Sequence, residues 1–283
     1  MARFIDLLVR EKYLAPLPPT CPVIIGDEQL AYIDGLPDDH PLWRGEDFPN
    51  MAPPFPSFWI EARSRVADVH YGVEVILAKP TMDQAEKYFR FFWPWHKLKA
   101  PIAWMFQIFC YMRHGRAFGV MPQVLYLFVD QHGIILNPNH PTKGNLLQGL
   151  SEPLPELMGK RFIQLSPDDG LNIVPFALRT WAMLNCVNVG IEAVAPPPTL
   201  SKSHKKKYGI PMSTWYELRL KTKKYAQAEA IQDRDESGDR RQYREHLCRG
   251  HFKRRKTGVF WWNAHVRGSH DLGTIRKSYS IAQ

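Results

Sequence analysis

Two long apolar segments near the middle of the chain constrain its fold most strongly. Residues 102–113 and 124–136 are rich in aromatic and β-branched side chains, and the connection between them contains Gly115, Gly119 and Pro122. Runs of this kind, bounded by turn residues, are typical of sheet strands. Together with shorter strand-like segments and a few helical ones, they predict an α+β fold. We expect a predominantly antiparallel sheet with a few helices and a basic C-terminal β-hairpin unit.

The remaining elements are predicted from local patterns. Helices are expected over three segments: 3–13, 81–92 with Thr81 as its cap, and 168–186. Further strands are expected over seven segments: 58–63, 69–78, 187–195, 214–221, 246–255, 259–268 and 274–281. Prolines are dense between residues 15 and 56, which disfavours long helices and central strands, so we expect extended chain wrapping over the body.

These elements group into two parts. Residues 1–165 form an N-terminal α+β body that includes the proline-rich wrapping segment. Residues 166–283 form a basic C-terminal unit, in which 195–209 is expected to be a linker and the charged segment 223–245 to be mobile.

The distribution of charge points to the class of partner. Residues 201–283 hold 20 Lys and Arg against 8 Asp and Glu, whereas the first 200 residues hold 17 basic and 20 acidic residues. A local excess of positive charge favours polyanions, chiefly nucleic acid, over small neutral substrates. The longest apolar run falls short of the ~18–20 residues that a membrane span requires, so no membrane partner is expected. The four cysteines form no CxxC pair, which favours a soluble protein of a reducing compartment.

The segment 246–268 carries the most specific pattern. Two strand-like runs flank Lys256-Thr257-Gly258, and a three-residue loop ending in Gly is a common hairpin connection. With that loop, three pairs face each other across the hairpin: Arg249 with His265, His251 with Asn263, and Lys253 with Trp261.

Strand alternation then separates two faces of the hairpin. The apolar face includes Phe252, Phe260 and Trp262. The polar face carries eight predicted site residues: Arg249, His251, Lys253, Arg255, Trp261, Asn263, His265 and Arg267. Arginine can bind a phosphate through two parallel hydrogen bonds, and Trp261 offers a surface on which a base can stack. The pattern predicts nucleic-acid binding, to RNA or DNA, through this face.

An alternative reading assigns catalysis to the same face. A metal-independent ribonuclease needs a general base, a general acid and a cation near the phosphate. His251 and His265 are the candidate acid and base, because an unperturbed histidine pKa of about 6.5 leaves both protonation states accessible.

No metal or other cofactor is expected. In the sequence His246-x-Cys248-x-x-His251, a strand would direct Cys248 away from His251, so these potential zinc ligands do not converge. The chain also lacks a GxxxxGK[ST] phosphate-binding loop and a GxSxG nucleophile motif.

The C-terminal third resembles a family of bacteriophage- and prophage-encoded proteins with a basic His/Arg hairpin. The resemblance rests on LNCVNVGIEAV at 184–194, the basic segment after it, and the patterns REHLCRGHFKRR, GVFWWNAHVRG and RKSYSI. It implies a mobile-element setting in the cytoplasm of a bacterial host, and no activity is carried over from it. A third hypothesis follows, in which the acidic, aromatic N-terminal body inhibits a host protein and the hairpin is a secondary anchor.

Overall fold

The computed structural model describes residues 3–18, 20–33, 48, 50–64, 68–92, 98, 100–121, 124–136, 149–150, 163–164, 167–220, 244–248, 251–262, 265–267 and 269–274. The chain divides into two compact units. The first comprises Met1–Asn185 and Ile191–Leu218, and the second comprises Cys186–Gly190 and Arg219–Gln283. This division differs from the predicted boundary at residue 165, because the helix that follows that point belongs to the first unit.

The described part of the chain contains five helices: α1 (Phe4–Arg10), α2 (Asp27–Ile33), α3 (Met82–Phe92), α4 (Pro167–Leu184) and α5 (Pro198–Tyr208). Its first nine strands are β1 (Val23–Ile25), β2 (Ser57–Arg63), β3 (Val69–Ala78), β4 (Trp104–His114), β5 (Ala117–Val120), β6 (Val124–Val129), β7 (Gly149–Leu150), β8 (Ile163–Gln164) and β9 (Val189–Val194). Six more follow: β10 (Trp215–Leu220), β11 (Arg244–Cys248), β12 (His251–Arg255), β13 (Gly258–Trp262), β14 (His265–Arg267) and β15 (Ser269–Thr274).

Ten of the strands form one mixed sheet. Eight follow the order β7-β6-β4-β3-β2-β1-β10-β9, while β5 pairs with β4 and with β8. The longest ladder joins β3 and β4 in antiparallel register, from Val69 opposite His114 to Ala78 opposite Met105. Neighbouring β2–β3 and β4–β6 pairs are antiparallel as well, whereas β1 runs parallel to β2 and β10. The predicted α+β class with a mainly antiparallel sheet is confirmed.

Helix α4 supplies the aromatic centre of the first unit. The Trp181 ring lies 4.5 Å from the Phe106 ring and 5.1 Å from the Phe58 ring, both in edge-on geometry, and all three side chains are fully buried. Residues 173–183 are buried without exception, although the sequence predicted one apolar face. A helix buried on all sides is a core element, and its position explains why this segment is apolar almost throughout.

The start of α3 confirms a local prediction. The Gln84 main-chain N–H donates to Thr81 Oγ1 at 3.3 Å, and the Thr81 N–H donates to Gln84 Oε1 at 2.9 Å. This reciprocal capping box satisfies two main-chain donors at the helix terminus. The Thr81 cap is local in sequence, which is why the pattern alone could predict it, whereas the return bond to Gln84 was not predicted.

The predicted linker at 195–209 is wrong, because most of it forms α5. Pro198 occupies the first helical turn, where its missing N–H costs nothing, and Gly209 ends the helix in the left-handed conformation at φ 83°. Lys205, Lys206 and Lys207 lie in the last turn, where positive charge is favourable. Pro198, the three lysines and Gly209 are typical of the two ends of a helix, and the sequence analysis did not use them.

The prediction for residues 15–56 is also wrong in part. Strand β1 is central, lying between β2 and β10, and α2 follows it directly. Three consecutive residues without proline are enough for a short strand that pairs on both sides, and Pro22 stands just outside it. Residues 34–47 lie outside the described part of the chain.

Two strand predictions need adjustment. Strand β6 ends at Val129 instead of continuing to residue 136, because Asp130 Oδ1 accepts hydrogen bonds from the N–H groups of His132 and Ile134 and forms a turn. The predicted mobile segment 223–245 and the predicted strand 274–281 lie outside the described residues, except for 244–245 in β11 and Thr274 in β15. No helix in the described ranges has the length and apolar character needed to cross a membrane.

Candidate nucleic-acid interface

The candidate interface is a two-stranded antiparallel ribbon in the second unit, made of β12 and β13. Five pairs define its register: His251 with Trp262, Phe252 with Trp261, Lys253 with Phe260, Arg254 with Val259, and Arg255 with Gly258. Only Lys256 and Thr257 remain in the connection, and two-residue turns are the commonest hairpin connections.

This register corrects the predicted one by a single residue. The sequence predicted a three-residue loop that would have placed Lys253 opposite Trp261 and His251 opposite Asn263. A one-residue shift moves every side chain of one strand to a new partner. Gly258 does adopt a positive φ, of +130°, as its place in the turn predicted, yet it pairs with Arg255 and is part of the ladder.

The shift exchanges the two tryptophans between the faces. His251, Lys253 and Arg255 share their face with Trp262, whereas Trp261 belongs to the opposite face with Phe252. Trp261 is only 7% exposed. It is therefore a core residue and does not offer the predicted stacking surface. Trp262, which the sequence had assigned to the core, lies on the face of the cationic side chains instead.

Cationic side chains gather around the Trp262 ring. Lys253 Nζ lies 4.1 Å from the ring centroid and Arg255 Cζ lies 5.6 Å from it. The His251 ring is 6.2 Å away, and its side chain is exposed while Trp262 is half-buried. Contacts of this kind between cations and an indole are attractive and hold the long side chains beside the ring. We call this face, defined by His251, Lys253, Arg255 and Trp262, the Trp262 face.

The ribbon is anchored through the main chain of β13. Asn188 Nδ2 donates to the Trp261 carbonyl at 2.7 Å, and the Trp261 N–H donates to Asn188 Oδ1 at 2.9 Å. The Val187 N–H donates to the Val259 carbonyl at 2.9 Å. These bonds join positions more than 70 residues apart within the second unit. Asn188 was missed by the sequence analysis, since nothing in its local pattern marks a long-range partner.

Close packing also explains the glycine at the start of β13. A Cβ atom built on Gly258 would lie 2.7 Å from Val187 Cγ2, and the positive φ disfavours any other residue. The ribbon therefore passes close to the chain that follows α4.

The second histidine candidate belongs to a different ladder. Strands β11 and β14 are antiparallel and pair His246 with Arg267, Leu247 with Val266, and Cys248 with His265. The predicted pairing of His265 with Arg249 is therefore wrong, while Arg249 and Asn263 themselves lie outside the described residues. The described ladders do not place His251 and His265 opposite or diagonal to each other, as the ribonuclease hypothesis required.

The thiol in the same region is unreactive. Burial raises the pKa of the Cys186 thiol to about 12, so this neighbour of Asn188 stays protonated at neutral pH. Within the described ranges, no three His, Cys, Asp or Glu side chains come together as potential metal ligands.

Comparison with known proteins does not assign a family or a function to this ribbon. No protein-family model matches the chain, and no curated protein matches its sequence.

Proposed function

We propose that the chain binds single-stranded nucleic acid through the Trp262 face. The observation that carries the proposal is the position of Lys253 and Arg255 beside the half-buried Trp262 ring, on the side of the ribbon that also presents His251. Cations next to an aromatic ring can contact phosphates while a base stacks on or against the ring. A base that is not paired is free to do so, which favours a single strand over a duplex.

The positive charge of the ribbon also supports nucleic acid as the partner. The twelve residues from His251 to Trp262 contain four consecutive cations and no acidic residue. An electrostatic site of this kind attracts the backbone of RNA and DNA alike, so both remain within the proposal. The resemblance to bacteriophage and prophage proteins leads us to propose the cytoplasm of a bacterial host as the place of action.

A salt titration with matched variants tests the proposal. Binding of the full chain to a fluorescein-labelled single-stranded RNA and to its DNA equivalent is measured by fluorescence anisotropy. Each phosphate contact contributes about −0.7 to the slope of log K against log salt concentration for a single strand. Lys253→Ala and Arg255→Ala should each make the slope shallower by roughly that amount.

Arg254→Ala is the control, because it removes the same charge from the same strand but on the opposite face. Trp262→Ala should weaken binding by about 1–3 kcal/mol without changing the slope, since base stacking is not an ionic contact. Equal losses for Arg254→Ala and Lys253→Ala would show that only general charge is involved. A flat salt response of the unchanged protein would overturn the proposal.

The host-protein hypothesis is distinguished by a pull-down before and after nuclease treatment. Nucleic-acid binding predicts that partners retained by the full chain are released by nuclease. A stoichiometric complex that survives nuclease and is unaffected by Trp262→Ala would favour inhibition of a host protein instead.

A further inference from the structure

A surface of the first unit also places an aromatic ring beside two cationic side chains, where the last turn of α5 meets the end of α1. Lys207 Nζ lies 5.1 Å from the centroid of the Tyr208 ring, and Arg10 Cζ lies 5.3 Å from it. Tyr208 is 38% exposed, so a ligand can reach the ring. The Trp262 face of the second unit has the same composition, a partly accessible ring with one lysine and one arginine beside it.

The hydroxyl group of Tyr208 takes part in the same arrangement. A hydrogen bond from Lys207, together with the charges of Lys207 and Arg10, lowers the pKa of this phenol. Arg10 also pairs with Glu11, with 2.6 Å between Nη2 and Oε1, so part of the arginine charge is balanced. The positive potential beside the ring therefore depends on the lysines of α5 as well as on Arg10.

Little of α5 is buried. His204 is the one buried residue of this helix, which carries four exposed lysines and no acidic residue. Lys202 lies three positions before Lys205 and four before Lys206, a spacing at which like charges on a helix repel each other. A ligand with several negative charges along its length would relieve that repulsion, so the helix favours a polyanion.

The exposed side chains of α5 favour nucleic acid over a membrane surface. A helix that lies in a lipid interface needs a face of large apolar side chains opposite its charges. Leu200 and Tyr208 are the large apolar residues that α5 exposes, and they stand eight positions apart near its two ends. An accessible ring beside cations is instead the arrangement against which bases stack while phosphates are neutralised.

We infer that the first unit holds a second contact for single-stranded nucleic acid, formed by Arg10, Lys205, Lys207 and Tyr208, which we call the Tyr208 face. Lys205 belongs to it because it lies three positions before Tyr208, on the same side of the helix. A base stacks against Tyr208 while the cations contact the phosphates on either side of it. The inference rests on the proposed function for the class of partner, but its residues belong to a different unit from the Trp262 face.

The test uses the full chain with its Trp262 face removed by Lys253→Ala, Arg255→Ala and Trp262→Ala. Fluorescence anisotropy with a labelled oligouridylate measures the binding that remains at low salt. Adding Lys205→Ala and Lys207→Ala should make the slope of log K against log salt concentration shallower by about 1.4, at about 0.7 for each phosphate contact. No binding of the oligouridylate before these two substitutions are added would overturn the inference.

Lys79→Ala with Lys87→Ala is the matched control, because it removes two exposed lysines from another part of the first unit. This pair should leave the slope nearly unchanged. Alanine favours helix, so the variants in α5 should keep their structure, which circular dichroism checks. Equal changes of slope for the two lysine pairs would overturn the inference, since they would show an effect of net charge alone.

Two substitutions of Tyr208 separate stacking from charge. Tyr208→Phe keeps the ring and loses the hydroxyl group, so the affinity should stay within about two-fold of that of the parent protein. Tyr208→Ala removes the ring and should weaken binding about five-fold or more without changing the slope. Equal affinities of these two variants would overturn the assignment of Tyr208 as the stacking surface.

The same substitutions, introduced separately into the wild-type protein, distinguish this inference from the proposed function. Binding that is weakened only by changes in the Tyr208 face would support the inference and contradict the role of the Trp262 face. Binding that is weakened only by changes in the Trp262 face would overturn the inference alone. Sedimentation with phosphatidylserine vesicles tests the other polyanionic partner: vesicle binding that needs Lys205 and Lys207, with oligouridylate binding independent of them, would also overturn it.

Discussion

Phe252 lies opposite Trp261 across β12 and β13, with their ring centroids 5.0 Å apart and their planes inclined at 67°. An edge-on aromatic pair of this kind contributes about 0.5–1.5 kcal/mol beyond the area it buries. The pair holds the ribbon in a register that leaves Trp262 with the cationic side chains. The position of the candidate interface thus follows from a contact on the other face of the same ribbon.

The first prediction separates the two adjacent tryptophans. Trp261→Ala should lower the free energy of unfolding by roughly 3–5 kcal/mol, because it removes a buried indole from the second unit. Trp262→Ala should cost much less stability while weakening nucleic-acid binding. Urea unfolding followed by circular dichroism measures the first effect, and similar stability of both variants would contradict this assignment of faces.

A second prediction concerns the anchor of the ribbon. Asn188→Ala removes both hydrogen bonds to the Trp261 main chain and should destabilise the ribbon by about 1–3 kcal/mol, since it leaves two main-chain groups unsatisfied. Asn188→Asp keeps the acceptor for the Trp261 N–H and loses only the donor, so its loss of stability should lie between those of the wild-type protein and Asn188→Ala. Hydrogen exchange of the Trp261 amide reports the change. Exchange at the wild-type rate in Asn188→Ala would show that the anchor is not needed.

The third prediction is a pH dependence centred on Glu61. This buried carboxyl accepts hydrogen bonds from the N–H groups of Phe4 and Ile5 and from Trp59 Nε1. Burial outweighs these bonds and raises the pKa of Glu61 from 4.5 to about 7. The folded state therefore holds this proton more tightly than the unfolded state, and its contribution to stability is present in full below pH 4.5 and lost as pH rises through about 7.

Glu61→Gln tests that dependence, because an amide does not titrate. Between pH 4.5 and 7, the free energy of unfolding of the wild-type protein should fall relative to that of the variant by about 1 kcal/mol per pH unit. Urea unfolding at several pH values gives the difference. The amide is a poorer partner for three donors, so the free energy of unfolding of the variant is lower by an amount that does not change with pH. This difference does not alter the slope of the free energy of unfolding against pH. Parallel stability curves for both proteins would disprove the assignment.

The fourth prediction concerns close packing at Gly72. A Cβ atom there would lie 2.3 Å from Trp59 Cζ2, and Trp59 is fully buried. Gly72→Ala should therefore destabilise the first unit by about 1–3 kcal/mol. In a Trp59→Phe background the same substitution should cost less, because the clashing atoms are gone. A double-mutant cycle from thermal or urea unfolding gives the coupling, and additive effects would rule out the clash as the cause.

The fifth prediction uses buried thiols to report on the two units separately. Burial raises the pKa of Cys110, in the first unit, and of Cys186, in the second, to about 12. Both should react slowly with an alkylating reagent in the folded protein, since the thiolate is the reactive form. Alkylation at increasing urea concentration, read residue by residue by mass spectrometry, should show when each unit opens. Rapid labelling of either thiol in native buffer would contradict its burial.

Local patterns in the sequence determined the types of many elements. The Thr81 cap, the aromatic runs of β4 and β6 and the helical pattern of α4 could be read correctly because each depends on neighbours a few residues away. The α+β class follows from these elements. The concentration of positive charge in the last 83 residues is likewise a property of the sequence alone.

Only the tertiary structure decided which side chains meet. Whether Trp261 or Trp262 lies on the cationic face depends on one residue more or less in the turn. The observed register is stabilised by the contact of Phe252 with Trp261 and by Asn188, which lies more than 70 positions away. The hydrogen bond from the Ser213 N–H to Asp6 Oδ1 likewise needs two segments that are 207 positions apart to lie together. Periodicity encodes which way a side chain alternates along its own strand, but the partner it faces is set by packing between distant segments, and no local pattern contains that information.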